Sequence, residues 1–264
     1  MLEENRIIQG LWIGRRLPLT AQLSIKSFMA NGHEYHLYTY AKTKDIPDGT
    51  VVKNADEIVP RQYIFKHRKG FGKGLVTGFS DLFRYKLLYD KGGFWCDLDE
   101  ICLKPFDFPE PYVISSERAI YGKEICCNGN VLKAPRGDLV IKRCYEDSMG
   151  KDLKNISFGE IGPPFIDAAV HRSGLSSYVK SPDVFCPIDG RHYQVLVDPR
   201  ARYEIQNGTY GIHLLHTLWT RKLPWKRKLK RWLRIHVLKK ELFCDANKRY
   251  NPSTLYGALQ KRYL

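Results

Sequence analysis

The sequence predicts an α/β fold, a mostly parallel sheet flanked by helices with a basic helical segment at its carboxyl end, and three observations carry that prediction. An apolar run, a helical stretch and an alternating strand follow one another within the first forty residues, the order of a parallel βαβ unit. A second helical stretch, from Ser80 to Gly92-Gly93, leads directly into the short apolar run Phe94 to Leu98, which closes on carboxylates. Beyond Trp219 the composition changes: between Arg221 and Lys240 there are ten Lys and Arg and no acid.

Each element has a local reason. Ile7 to Ile13 is apolar apart from Gln9 and Gly10, is ended by Gly14, and reads as a buried first strand. Thr20 is the expected cap of a helix running to Ala30, closed by Asn31-Gly32, and His36 to Tyr40 alternates as a second strand. The loop Lys66 to Gly78 is rich in Gly, Lys and Arg but lacks the spacing of a phosphate-binding P-loop, so it reads as a loop or lid. Ser80 is the expected cap of the next helix. Pro224 opens a stretch in which Trp225, Leu229, Trp232, Leu233, His236 and Val237 recur at spacings of three and four, leaving Lys and Arg on the other faces. The division expected is an α/β domain over 1–220 and a basic amphipathic helical segment over 221–264.

Length and composition bound the function. With 264 residues, 43% hydrophobic and 27% charged, the chain can bury a sizeable core and is neither disordered nor fibrous. No apolar run approaches the roughly 18 residues of a membrane span, and the start MLEENRIIQGLW is acidic where a signal peptide is basic. Seven cysteines without a Cys-x-x-Cys pair read as reduced, buried thiols. The expectation is a cytoplasmic protein, peripheral at the cytoplasmic face of a membrane. The net charge of +15 calls for an anionic partner. A basic helix with tryptophans on its apolar face suits an anionic membrane surface, and no recognition motif points to a specific nucleic-acid partner.

The chemistry concentrates at Phe94-Trp-Cys-Asp-Leu-Asp99. In a strand, Asp97 and Asp99 would share one face, two hard oxygen donors at the carboxyl end of a sheet strand, where open α/β folds bind ligands. In the preceding helix Asp81 and Arg84 are three apart and face the same way.

The run SDLFRYKLLYDKGGFWCDLDE closely resembles the signature of DXD-motif glycosyltransferases of the GT-A fold, specifically glycosyltransferase family 32 and the related capsular-polysaccharide and clostridial-toxin transferases. LWIGRRLP, FGEIGPPFIDAAV and GIHLLHTLWT extend the resemblance up to about Arg221. It implies a Rossmann-like GT-A sheet and a metal-dependent retaining glycosyltransferase. Such an enzyme would carry a sugar from a nucleotide sugar, taken as a UDP-sugar, to a hydroxyl of a surface polysaccharide or lipid-linked glycan, as in capsule or lipopolysaccharide synthesis. By the same resemblance Asp99 is the direct ligand of Mn2+ or Mg2+, and Asp97 bridges ribose and metal. Asp81 and Arg84 hold the donor sugar and diphosphate, so that Asp97, Asp99 and Arg84 form the catalytic set. Trp12 matches the aromatic that stacks on the donor base. Asn128, with Asn130 almost as good, falls where an amide meets the donor sugar, and Trp219 falls where a Trp closes over the diphosphate. His213, with His216 as the alternative, completes the metal site, and an imidazole of ordinary pKa would lose the metal below about pH 6.5. Two rival readings are a haloacid-dehalogenase-like phosphatase, which shares an apolar strand followed by Asp-x-Asp, and a noncatalytic membrane or nucleic-acid binding module carried by the tail.

Overall fold

A computed structural model of the protein describes residues 1–118, 122–220 and 244–264. Six strands form one sheet in the order β3-β2-β1-β4-β7-β6. The first four, β3 (Val51–Asn54), β2 (Glu34–Thr39), β1 (Ile7–Trp12) and β4 (Gly93–Cys96), run parallel. β7 (Ile125–Ala134) runs antiparallel to β4 on one side and to β6 (Val113–Arg118) on the other. The sheet is therefore mixed but mostly parallel, as expected. β5 (Glu100–Cys102) leaves it and pairs with β8 (Gly211–His213), a register that sets Glu100 opposite His213.

β1 is central and buried along most of its length, which is why it is apolar with one polar exception. Gln9 is tolerated there because its amide donates to the Gly92 carbonyl at 2.8 Å. Gly10 is needed because a Cβ would sit 2.5 Å from the Tyr35 hydroxyl and 3.0 Å from the Cys96 carbonyl. One face of the sheet packs through Leu82, Phe83 and Trp95 under α2 (Thr77–Lys91), α3 (Leu139–Met149) and α4 (Pro163–Arg172). The other packs through Ile8, Phe28 and Phe94 under α1 (Leu19–Ala30). A short helix α5 (Pro182–Phe185) adds Phe185 to that layer.

Two helix starts differ from the sequence expectation. α1 begins at Leu19 after Pro18, whose fixed φ presets the first turn, so Thr20 lies inside the helix and its amide donates to the Ala246 carbonyl at 3.2 Å. α2 begins at Thr77, a turn before Ser80, whose amide donates to the Val76 carbonyl at 2.9 Å. α1 closes at Asn31 with Gly32 at φ +87°, as its sequence implied.

The basic stretch 221–243 lies outside the described residues, and with it the expected amphipathic helix. The residues after it return to the domain. α6 (His216–Thr220) and the last helix, α7 (Leu255–Tyr263), share a third cluster in which Trp219, Cys244, Tyr256 and Leu259 are buried together. All seven cysteines are buried and no disulfide joins them. Among the described residues no helix is long and apolar enough to cross a membrane.

Candidate active site

The two aspartates lie in a turn rather than on a strand. β4 stops at Cys96, and the Glu100 amide donates to the Asp97 carbonyl at 3.0 Å, folding the chain over as it departs for β5. The alternation argument for a shared face therefore fails. Both carboxylates nevertheless face one cleft of about 280 Å³, because the turn is pinned from both sides. The Asp97 amide donates to the Asn130 carbonyl at 2.8 Å, and the Trp95 indole N–H donates to Asp97 Oδ1 at 2.8 Å. The Leu214 amide donates to the Asp99 carbonyl at 2.8 Å, and the His216 amide to Asp99 Oδ2 at 2.7 Å.

Arg84 joins α2 to this turn. Its Nη2 lies 3.0 Å from Asp81 Oδ1 and 3.2 Å from Asp97 Oδ1, and its guanidinium carbon stands 5.2 Å from the centre of the Trp95 ring. Gly129 on β7 makes room for it, since a Cβ there would run into Arg84 Nη1. Burial would weaken the guanidinium, but Asp97 and Asp81 more than offset it and hold Arg84 charged. Burial pushes Asp81 up to about 7 against the pull of Arg84, and raises Asp97 as well, with Asp99 adding to the rise.

His213 enters from β8, with its Nε2 3.4 Å from Asp99 Oδ2. Burial works against charge on both, yet each stabilises the other's ion. Asp99 is held down to about 2, and His213 is raised well above its ordinary value. Asp97, Asp99 and His213 each offer a donor atom, all within 4.8 Å of one another. Two carboxylates and an imidazole at that spacing form a mixed oxygen and nitrogen donor set that suits Mn2+, or Mg2+ with more water. His216 plays a different part: its backbone amide caps Asp99, and burial lowers the pKa of its imidazole.

Trp12, Asp81, Arg84, Asn128 and His213 line the same cleft as the two aspartates. The Trp12 indole N–H and Arg84 Nε–H are both buried without a hydrogen-bond partner among the described residues. These are donors that a ligand's oxygens could satisfy. Of the two amides, Asn128 reaches the cleft and donates to Glu117 Oε2 at 2.7 Å, whereas Asn130 is buried behind it, donating to Glu100 Oε2 at 2.8 Å. Trp219 is not brought to the cleft. Its indole packs edge-on against Tyr256, with ring centres 5.0 Å apart at 88°, and Thr217 of the same short helix faces the cleft instead. The sequence reading missed Gly129, Glu117 and Phe158. Gly129 and Glu117 lie outside the quoted motifs and Phe158 only opens FGEIGPPFIDAAV; each comes near the cleft only because β6, β7 or a distant loop is folded against it.

No curated protein matches the chain. Among solved structures, a glycosyltransferase named PaToxG aligns over 65% of this chain and 71% of its own, at 15% identity and a TM-score of 0.44. A transferase solved as a double cysteine-to-serine mutant aligns over 66% of this chain and 87% of its own, at 8% identity and 0.45. The apo-form glycosyltransferase GlyE of Streptococcus pneumoniae TIGR4 aligns over 92% of this chain and 66% of its own, at 11% identity and 0.36. Residues 20–119, which include Asp81, Arg84, Asp97 and Asp99, match the family described as the glycosyltransferase sugar-binding region containing the DXD motif, and that match supports a glycosyltransferase.

Proposed function

We propose that the protein is a metal-dependent, retaining glycosyltransferase that moves a sugar from a UDP-sugar to a hydroxyl of a surface polysaccharide or lipid-linked glycan at the cytoplasmic face of a membrane. The observation that carries this reading is the meeting of Asp97, Asp99 and His213 with the Asp81–Arg84 pair and Trp12 in one cleft. In this reading Asp99 and His213 hold Mn2+ or Mg2+ directly, with Asp97 completing the set. The dication supplies charge stabilisation for a departing nucleoside diphosphate without proton transfer. Trp12 offers a flat face and an N–H to the base. Arg84, kept charged by its two aspartates, presents a guanidinium to the diphosphate. Asp81 and Asn128 orient sugar hydroxyls. The excess of basic residues between Arg221 and Lys240 supports the membrane part of the reading.

The test is a thermal-shift panel of nucleotide sugars with and without Mn2+, since a ligand that binds the native state raises its melting temperature. A UDP-sugar should stabilise the protein only with metal present. Proton NMR of the first glycoside formed should show the donor's anomeric configuration. Stabilisation by no sugar nucleotide under any metal condition would refute the reading.

A further inference from the structure

The donor cleft continues into a second cavity of about 480 Å³, and Asp99, Phe158, Pro163, His213 and Thr217 belong to the walls of both. The second bay is mainly apolar, faced by Phe71 and Phe158, whose rings meet at 4.9 Å, and by Leu215 and Leu218. Arg118, ion-paired with Asp183, and the exposed Arg191 also line it, and beside Asp99 and His213 it holds one further acid, which is buried. Glu117, the penultimate residue of β6, is only 5% exposed, and no Lys, Arg or His among the described residues forms an ion pair with it. Its Oε2 accepts from Asn128, and its Oε1 faces the open side of Gly190, where a Cβ would stand 3.3 Å away. A carboxyl oxygen of Glu117 and a ring nitrogen of His213 lie within 4.8 Å of each other, so the bay opens beside the proposed metal ligands.

A buried carboxylate is costly unless hydrogen bonds satisfy it. A lipid chain could fill the apolar walls but would offer no donor to Glu117 Oε1, since only Oε2 is met by Asn128. A sugar ring meets both demands, with C–H faces for the phenylalanines and hydroxyls to donate. We propose that this bay is the acceptor subsite, that it takes a sugar ring rather than an alkyl chain, and that Glu117 is a positioning residue which accepts a hydrogen bond from an acceptor hydroxyl. The proposal rests on the glycosyltransferase reading and adds the acceptor's chemistry to it. Gly190 is part of the same device: its φ is ordinary, and its missing side chain keeps the bay open.

The test uses the full chain loaded with UDP and Mn2+, titrated with the methyl α- and β-glycosides of glucose, galactose, mannose and N-acetylglucosamine and followed by saturation-transfer NMR. At least one glycoside should bind saturably. Glu117→Gln should weaken it tenfold or more while UDP affinity stays within twofold, and Gly190→Leu should abolish glycoside binding by filling the bay. If Glu117→Gln does not fold, Gly190→Leu decides alone. Wild-type protein that binds UDP but no glycoside refutes the bay and leaves the donor reading standing. Glycoside binding without UDP binding, lost on Gly190→Leu, keeps the bay and refutes the donor reading. A glycoside bound equally by wild type and both variants overturns the proposal.

Discussion

Replacing Asp99 by asparagine separates the structural and chemical duties of one side chain. The amide oxygen of asparagine can still accept from the His216 amide, so the cap on α6 survives, whereas the charge facing His213 and the metal is lost. The lowering of the Asp99 pKa to about 2 favours the charged form by roughly 2 kcal/mol. Asp99 is 13% exposed, so solvent screening removes little of this. Relief of the repulsion with Asp97 offsets part of it, leaving about 1–2 kcal/mol lost from the metal-free protein at neutral pH. For a chain of this length that is about 2–8 °C in melting temperature. A depressed carboxylate stabilises fully above its unfolded value and loses that contribution as pH falls toward its folded one. The gap between wild type and variant should therefore narrow between pH 4 and pH 2. The chemical loss is larger: removal of a direct ligand should weaken Mn2+ by more than the roughly 10–100-fold typical of outer-shell changes. Differential scanning fluorimetry, with and without Mn2+ and UDP, reads both effects. A variant that melts a few degrees lower yet keeps metal-dependent stabilisation by UDP would refute the assignment of Asp99 as ligand.

The remaining predictions follow from the same geometry. Trp12→Ala should weaken UDP by about 1–3 kcal/mol, the magnitude of base stacking on aromatics; calorimetry that finds unchanged affinity with a lower melting temperature would make Trp12 a core residue only. Gly129→Ala should displace the Arg84 guanidinium and cut turnover, and a fully active variant would show that Arg84 is not held where it acts. Because Asp99 raises the His213 pKa well above its ordinary value, a metal must displace a proton from His213. Mn2+ affinity should then climb by up to about tenfold per pH unit to well above pH 6.5, correcting the lower threshold expected from an ordinary histidine. The same raised pKa stabilises the metal-free protein below the unfolded value, a contribution that disappears as pH rises through the folded one. His213→Ala should flatten the metal profile, and an unaltered slope would point to another ligand. Neutralising the ten Lys and Arg between Arg221 and Lys240, with residues 244–264 intact, should release the protein from anionic liposomes at low salt; retention would refute the membrane role.

The sequence made the parallel half of the sheet, the cysteine state and the Asp81–Arg84–Asp97–Asp99 constellation legible, because each is local: periodicity, spacing within one helix, or a motif of a few residues. What escaped it is long-range. The turn at Asp97 exists because β5 pairs with β8, more than a hundred residues downstream, and no period in FWCDLDE announces that. Thr20 resembles a cap, but the preceding proline fixes the helix start. Trp219 looked like a ligand-facing aromatic and instead packs on Tyr256, a residue that sequence reading assigned to a separate tail. Glu117 carried no signal at all: a Glu in SSER is ordinary until β7 brings Asn128 to it.

The dependence of Asp99 on α6 has a consequence in time. The His216 amide that caps Asp99 is 117 residues further along the chain, and the helix that carries it is backed by Trp219 against Tyr256. Proteins emerge from the ribosome amino end first. The two aspartates are therefore made early and wait for their imidazole and cap until residues 213–216 have been added, and for the backing of that helix until Tyr256. A chain interrupted between Asp99 and His213 retains the DXD motif but neither the imidazole nor the cap, so the three side chains of the candidate metal site meet only after β8 has been made.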